Sequence, residues 1–289
     1  MKLCCTSVML PRWSLDDTFD NLAEYGYDAV ELRCRFNPDE SDSEPSFWGR
    51  HLSDVSPDNV VEKAKAIREA SQRSGVRVAA LAPNCLLTDT DTVLKIFRGA
   101  LAIDPDSPPM IRIGAPRQDR NRPYVPQFLA ARSGYAGLVE IAREYGVKIL
   151  YEIHVGTVAV SAARTIELLR DLDPDHIGAI YDVPNMLRVG LEDSLMGMEL
   201  LGPYLAHCHM GNGIPVPGER DGHGVIPYQW AFRGLKDGIA NVAQIVGDLR
   251  STGYIGHISL EDFGPGEDSD KVRDQGAYLH SLMNDSHDD

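Results

Sequence analysis

The 289-residue chain is poor in positive charge: 28 lysines and arginines stand against 43 aspartates and glutamates, for a formal net charge of −15. A field of that sign repels nucleic acid and anionic membranes, so neither is an expected partner, and any anionic ligand has to be drawn in by arginines gathered locally. Cysteine is scarce, five residues with no CxxC spacing, which argues against a disulfide framework or a zinc finger. Cys4, Cys5, Cys34, Cys85 and Cys208 read instead as small buried hydrophobes of a reducing cytoplasm. No window approaches the ~20 apolar residues of a membrane span. The opening Met1-Lys2-Leu3-Cys4-Cys5 lacks the charged region and long apolar stretch of a signal peptide. Low-complexity tracts are absent, as are the glycine-rich phosphate loops of dinucleotide-binding and P-loop proteins. The expectation is a soluble, cytoplasmic protein.

What is present is an ordinary globular composition, 43% apolar and 25% charged, enough to bury a core without staples. Short apolar runs recur at 2–7, 28–33, 76–82, 110–114, 147–154, 177–182, 205–210 and 256–262. They are nearly continuous in Val, Ile, Leu and Ala, as strands covered on both faces should be. Amphipathic segments lie between them, among them Leu15–Tyr25, Val60–Ser74, Ala136–Tyr145, Ala162–Leu172 and Ile239–Thr252. Ser14 with Asp17, and Ser56 followed by Pro57, read as helix starts. Gly26, Gly75, Gly146 and Gly253 each stand between a helix end and the next strand. Eight such units average about 36 residues, the length a βα unit needs. The alternation predicts a parallel sheet, and eight units predict a closed (β/α)8 TIM barrel as a single domain over 1–289, with 283–289 a frayed tail. A doubly wound open sheet would want a glycine-rich loop after its first strand, where the chain reads Thr6-Ser7-Val8-Met9-Leu10-Pro11-Arg12.

In a barrel of this kind the active site lies at the carboxyl ends of the strands. There the fifth run ends Tyr151-Glu152-Ile153-His154, the sixth Tyr181-Asp182-Val183-Pro184-Asn185, the seventh His207-Cys208-His209-Met210-Gly211-Asn212 and the eighth Leu260-Glu261-Asp262. A lone acid at such a position ordinarily caps the following helix. Three carboxylates converging on one pocket raise one another's pKa, and a divalent cation resolves that conflict. Oxygen donors with one imidazole suit Mn²⁺, Mg²⁺ or Co²⁺, with Zn²⁺ also compatible.

These four segments make the chain resemble the xylose-isomerase-like TIM barrels, a superfamily of sugar isomerases and epimerases, inosose dehydratases and endonuclease IV. The resemblance implies one divalent metal, Mn²⁺ before the others, held by Glu152, Asp182, His209 and Glu261. His209 is preferred to His207 because the family places its ligand histidine three residues before an acidic or amide residue, here Asn212. His207 points to the same face of its strand and is expected below the metal. Three departures bear on the chemistry. Asn185 replaces a frequent histidine, which argues against a multi-zinc site and leaves an amide that can bind substrate. His154 stands where hydride-shifting isomerases have lysine, which favours proton transfer. The loop after the seventh run, Gly213 to Gly224, is long and carries Arg220 and His223 near where relatives keep a substrate-binding arginine.

The implied activity is a metal-dependent sugar or sugar phosphate isomerase or epimerase, working through a metal-stabilised enediolate, with Glu152 and Glu261 exchanging the proton. His154, Asn185, His207, Arg220, His223 and Arg33 are the candidate substrate contacts. Arg33, alternating with Glu31, reads equally as part of a buried ion pair or a barrel layer. Arg117, Arg120 and Arg122 follow the fourth run and could grip a phosphate or carboxylate. Trp13, Phe36 and Trp48 could wall a sugar site or pack on the barrel rim. A dehydratase using the same metal and base is the second reading, and a barrel kept as a binding module the third. A homodimer or homotetramer is compatible with either enzyme.

Overall fold

The structure, a computed structural model, describes residues 1–38, 44–190 and 192–285. The elements follow in the order β1 (Lys2–Thr6), α1 (Leu15–Glu24), β2 (Ala29–Arg33), α2 (Val60–Ser74), β3 (Arg77–Ala82), α3 (Thr90–Ile103) and β4 (Met110–Ile113). Next come α4 (Tyr124–Tyr145), β5 (Ile149–Glu152), α5 (Ala162–Leu169), β6 (Ile177–Asp182), α6 (Val183–Leu187) and α7 (Ser194–Leu201). The chain then forms β7 (Leu205–Met210), β8 (Asn212–Pro217), β9 (Tyr228–Arg233), α8 (Val242–Ser251), β10 (His257–Leu260) and α9 (Asp268–Asn284). Strands β1 to β7 and β10 close a parallel barrel in the order β1-β10-β7-β6-β5-β4-β3-β2, while β8 and β9 pair as a separate two-stranded sheet. The predicted (β/α)8 barrel is therefore what the chain adopts.

Local chemistry explains the boundaries. Ser14 and Asp17 form the expected capping box on α1, with the Asp17 amide donating to Ser14 Oγ at 3.1 Å and the Ser14 amide to Asp17 Oδ2 at 3.1 Å. The four helix-ending glycines all have φ between 64° and 79°, a left-handed backbone that residues with a Cβ enter at a cost. The main apolar core lies between the barrel and its helices, from Leu3 and Phe19 round to Leu260 and Leu279. Inside the barrel the lower layers are small or aliphatic, with Cys4, Ala29 and Ala79 in one cluster and Ala80, Leu150 and Ile180 in another. All five cysteines are buried and unpaired. No helix among the described residues is long and apolar enough to cross a membrane.

Several expected boundaries move. Helix α2 begins at Val60 rather than behind Ser56, because Asn59 Oδ1 takes the Ser56 amide at 2.8 Å and holds residues 56–59 as a turn. Helix α4 starts at Tyr124, twelve residues before the expected Ala136. Pro126 is tolerated in its first turn, where no amide proton is needed. Gly134 within it lets Leu87 pack close, since a Cβ there would meet Leu87 Cδ1 at 2.5 Å and push that side chain aside. The segment from Gly213 is a loop only in part, because Asn212–Pro217 pairs antiparallel with Tyr228–Arg233. Asn212 pins the base of this hairpin, donating to Leu235 O at 2.8 Å and Ala240 O at 3.2 Å and accepting from the Gly213 and Ala240 amides at 2.9 Å. The tail does not begin at 283, since α9 continues to Asn284; residues 286–289 lie outside the described residues.

Candidate metal centre

Glu152 is the last residue of β5, Asp182 the last of β6, His209 the fifth of β7, and Glu261 follows β10 directly. Because β5, β6, β7 and β10 are consecutive in the barrel, parallel register brings these positions to one level at one end. His209 is the hub. Its Nδ1 lies 3.2 Å from Asp182 Oδ2, 3.4 Å from Glu152 Oε1 and 3.8 Å from Glu261 Oε1. Its Nε2 lies 2.6 Å from Glu31 Oε2, reaching across the barrel interior from β7 to β2. All five residues are buried.

Each side chain has a specific anchor. Asp182 does two things at once: Oδ1 accepts the Asn185 amide at 2.8 Å and caps α6, while Oδ2 faces His209 and accepts from Asn185 Nδ2 at 2.8 Å. Glu152 Oε1 accepts from Arg112 Nη1 at 2.7 Å. Burial disfavours the Glu152 carboxylate, but the Arg112 charge, helped by His209, outweighs it and holds the group well below the usual carboxylate range. Glu261 has no such partner. Burial, reinforced by Asp182, Glu152 and Glu31 against the pull of His209, pushes it up to about 8. Burial also works against a charged His209, yet Glu31, Glu261, Asp182 and Glu152 lift its pKa well above the ordinary value.

These residues fit a divalent cation on their own chemistry. One Nδ1 proton can satisfy one acceptor well, whereas three carboxylate oxygens crowd that nitrogen within 3.8 Å. Glu31 on Nε2 fixes the tautomer that turns the Nδ1 lone pair toward the carboxylates, the carboxylate–histidine arrangement that orients metal ligands. Glu152, His209 and Glu261 offer donor atoms all within 4.8 Å of one another. Glu31, His207 and His209 form a second compact group. Its members are already in direct contact, with both imidazoles at Glu31 Oε2 at 3.1 and 2.6 Å. That spacing suits hydrogen bonds and makes the lower group a buttress.

The centre opens into a cavity of about 390 Å³ lined by Glu152, Glu261, Arg112, His154 and Asn185 among others. Of the six candidate substrate contacts, His154 and Asn185 line it. His154 Nδ1 donates to Val155 O at 2.8 Å. His207 is fully buried under His209 and bonded to Glu31, out of reach of a ligand in the cavity. Arg33 turns away: its guanidinium is taken up by Arg35 O, Phe36 O, Gly49 O and Asn37 Oδ1 and braces the loop after β2. Arg220 and His223 are exposed between β8 and β9, where Arg220 Nη1 donates to Gly224 O and a tight turn forms on Asp221. Arg117 lines the cavity; Arg120 and Arg122 are exposed and do not. Trp13 is buried, while Trp48, 66% exposed, stacks on Phe263 at 4.7 Å.

Two contributors escaped the sequence reading. Arg112, inside the fourth apolar run, signals itself only as a charge in a strand covered on both faces. Glu31 was visible as an acid in the second run, but its partners sit 176 and 178 residues away.

The profile of the xylose isomerase-like TIM barrel family matches residues 19–282. An uncharacterized protein of Methanocaldococcus jannaschii is 23% identical over 281 residues, covering 91% of this chain and 84% of that protein. Among solved structures, a probable 3-DHS dehydratase involved in petrobactin synthesis in Bacillus anthracis is 17% identical, covers 97% of this chain and 99% of its own, and superposes with a TM-score of 0.72. A D-psicose 3-epimerase solved in the presence of D-fructose is 14% identical over 99% of this chain and 100% of its own, with a TM-score of 0.69. At these identities the two structures establish the shared fold.

Proposed function

The chain belongs to the xylose isomerase-like TIM barrel family, and from that premise we propose that it is a metal-dependent isomerase or epimerase of a sugar or related hydroxy ketone, acting by proton transfer next to the carbonyl. The observation that carries this reading is the set of three buried carboxylates around one imidazole nitrogen at the floor of an open cavity. Glu152, Asp182, His209 and Glu261 would hold the ion, Mn²⁺ being the first choice. When bound, it would supply Lewis-acid polarisation of the substrate carbonyl and the adjacent hydroxyl.

The chain's own residues supply the rest. Glu152 and Glu261 face the same space from β5 and from beyond β10, so one carboxylate can take the carbon-bound proton and the other return it to the opposite face. Arg112, buried beside Glu152, places a permanent positive charge where oxyanion character develops as the proton leaves. Asn185 and His154 offer an amide and an imidazole to substrate hydroxyls. Incubation with Mn²⁺ and a panel of ketoses in D₂O tests the reading: deuterium should enter at the carbon beside the carbonyl. Failure to incorporate it into any member of the panel would count against proton transfer.

The likeness to a probable dehydratase keeps a second outcome of the same first step in view. If a hydroxyl β to the carbonyl departs after the proton is taken, the product absorbs as a conjugated enone, and the appearance of that band would identify a lyase.

A further inference from the structure

We propose that the substrate carries an anionic oxygen group, a carboxylate or a phosphate, held at the cavity mouth by Arg35, Arg117 and Arg188. The inference rests on the reading above that this cavity turns over a hydroxy ketone, and it specifies the class of that ketone.

The chain is strongly acidic, yet arginines crowd this one opening. Arg35, Arg112, Arg117 and Arg188 all line the cavity that exposes Glu152 and Glu261. Arg112 is committed to Glu152. The other three have no carboxylate within ion-pair distance among the described residues, although acidic groups are abundant on this molecule. Elsewhere some exposed arginines are paired, Arg73 with Asp16 and Asp20, Arg132 with Asp171, Arg143 with Glu140 and Asp173, and Arg164 with Glu167, and others such as Arg98 and Arg170 are not; what sets these three apart is that they line one cavity together.

Arg35 is the most telling of the three. It is half-buried just beyond β2, and of its guanidinium only Nε is used, donating to Ala82 O at 3.3 Å. Neither terminal nitrogen has a hydrogen-bond partner among the described residues, and Arg35 lines the cavity. Burial, and then the nearby Arg112 charge, pull its pKa down to about 9 against the opposing effect of Glu152 and Glu31, and an anion in the cavity would favour its charged form further. Arg117 follows β4 and Arg188 follows α6, and both are exposed. The three guanidinia therefore approach one space from three elements, the arrangement that grips a carboxylate or phosphate through forked hydrogen bonds. The same cavity is also lined by Trp48, Phe232 and Phe263, with Phe263 tilted against Trp48 at 4.7 Å and edge-on to Phe232 at 5.4 Å. A ligand with an anionic end and a carbon face fits this mixed lining of arginine and aromatic side chains. A volume of about 390 Å³ lies in the range of small-metabolite pockets.

The experiment is calorimetric titration of the Mg²⁺-loaded protein and two variants, Arg188→Gln and Arg35→Gln. Inorganic phosphate and malonate present the anionic group alone; D-fructose, D-fructose 6-phosphate and D-fructuronate present a ketose without and with it. Wild type should bind phosphate or malonate, and the corresponding anionic ketose at least tenfold more tightly than D-fructose. Whichever anion wins identifies the source of the charge. Each variant should lose tenfold or more for the anions and less than twofold for D-fructose, with Mg²⁺ affinity retained as proof that the centre is intact. Arg188 is exposed, so its variant keeps the test valid if Arg35→Gln fails to fold. Equal binding of neutral and anionic ketoses, absence of binding by both simple anions, or anion affinity unchanged in Arg188→Gln would each overturn the proposal. Deuterium incorporation into a neutral ketose, independent of the arginines, would remove this inference and leave the proton-transfer reading. Arginine-dependent anion binding with no incorporation into any ketose would do the reverse.

Discussion

Two sets of side chains at the barrel mouth, called here its acidic and basic halves, carry opposite charge and are built by different means. In the acidic set, β5, β6, β7 and β10 end in Glu152, Asp182, His209 and Glu261, short side chains rooted in adjacent strands. In the basic set, Arg35, Arg117 and Arg188 are long side chains rooted in segments beyond β2, β4 and α6, interleaved with the acidic set around one cavity. Arg112 is the joint between them, at 2.7 Å from Glu152. The acidic half is positioned by sheet register, so its geometry follows from backbone pairing. The basic half depends on loops and rotamers, so its side chains can vary without disturbing the candidate metal centre. On the reading proposed above, a barrel of this kind would hold the proton-transfer groups constant while its rim selects the substrate.

The largest effect expected from separating the halves is on turnover. Glu261→Gln keeps the size of the side chain but removes both a ligand charge and a base. General acid–base groups contribute about 10²–10⁴ in rate, and turnover should fall by at least that factor with weakened metal binding. The metal-free barrel should stay folded, because the substitution removes a carboxylate that burial and Asp182 already push up to about 8. Steady-state assays with calorimetric metal titration check this. Wild-type turnover in the variant would dissolve the acidic half as a functional unit.

Breaking the joint should be felt next, in stability. Arg112→Met leaves Glu152 buried without its cation, and removing one member of a buried pair costs about 3–5 kcal/mol. With ~2–4 °C per kcal/mol for domains of this order of size, melting of the chelated protein should fall by on the order of ten degrees. A divalent ion should recover part of the loss by replacing the missing charge, which thermal denaturation with and without EDTA would reveal. Equal losses in both conditions would mean that Arg112 serves the barrel interior rather than the centre.

A smaller, pH-dependent effect follows from Glu261 and His209. Folded Glu261 holds its proton up to about 8, against an ordinary value of 4.5, and folded His209 holds its own well above 6.5. Between about pH 6.5 and 8 these two groups bind more protons in the folded state than in the unfolded chain, so their contribution to the stability of the metal-free protein falls as pH rises, while at lower pH the neutral buried His51, His207 and His257 act in the opposite sense. A metal must displace those protons, so its apparent affinity should rise over the same window, with proton release detectable by calorimetry in buffers of different ionisation enthalpy. The melting increment on adding metal, several degrees at a hundredfold excess over Kd, should be larger at pH 8 than at pH 6. A constant increment would contradict the coupling.

The same contrast explains what could be read from the chain directly. The barrel was legible because period, glycine stops and caps are local signals, and the acidic half was legible because its residues end four apolar runs. Arg112 and Glu31 were not, since their roles depend on contacts across the barrel, and loop arginines carry no periodicity that says which one faces inward. Asn212 was misleading in a useful way. It marks His209 by spacing, yet its side chain clamps the hairpin base through Leu235, Ala240 and Gly213. Asp182 shows the capping role expected of a lone acid, with one oxygen on the Asn185 amide, while its other oxygen faces His209.

The smallest expected effect is also the sharpest test of geometry against sequence position. Arg220 and His223 stand where a substrate-binding arginine was expected, on a protein whose mouth is otherwise rich in arginine. In the structure both are exposed between β8 and β9, and Arg220 closes its own turn onto Gly224 while Asp221 accepts the His223 and Val225 amides at 2.8 and 2.9 Å. Neither residue lines the cavity that contains Glu152 and Glu261. Substitution of such a surface side chain changes stability by about 0.5 kcal/mol or less, and a charge this exposed acts on a distant ligand only through a screened field. Arg220→Ala and His223→Ala should therefore leave KM for an anionic ketose within about twofold of wild type, against a tenfold or greater loss for Arg188→Gln. A KM raised tenfold by Arg220→Ala would mean that the hairpin folds over the mouth when substrate binds, and the basic half of the site would then have to be redrawn to include it.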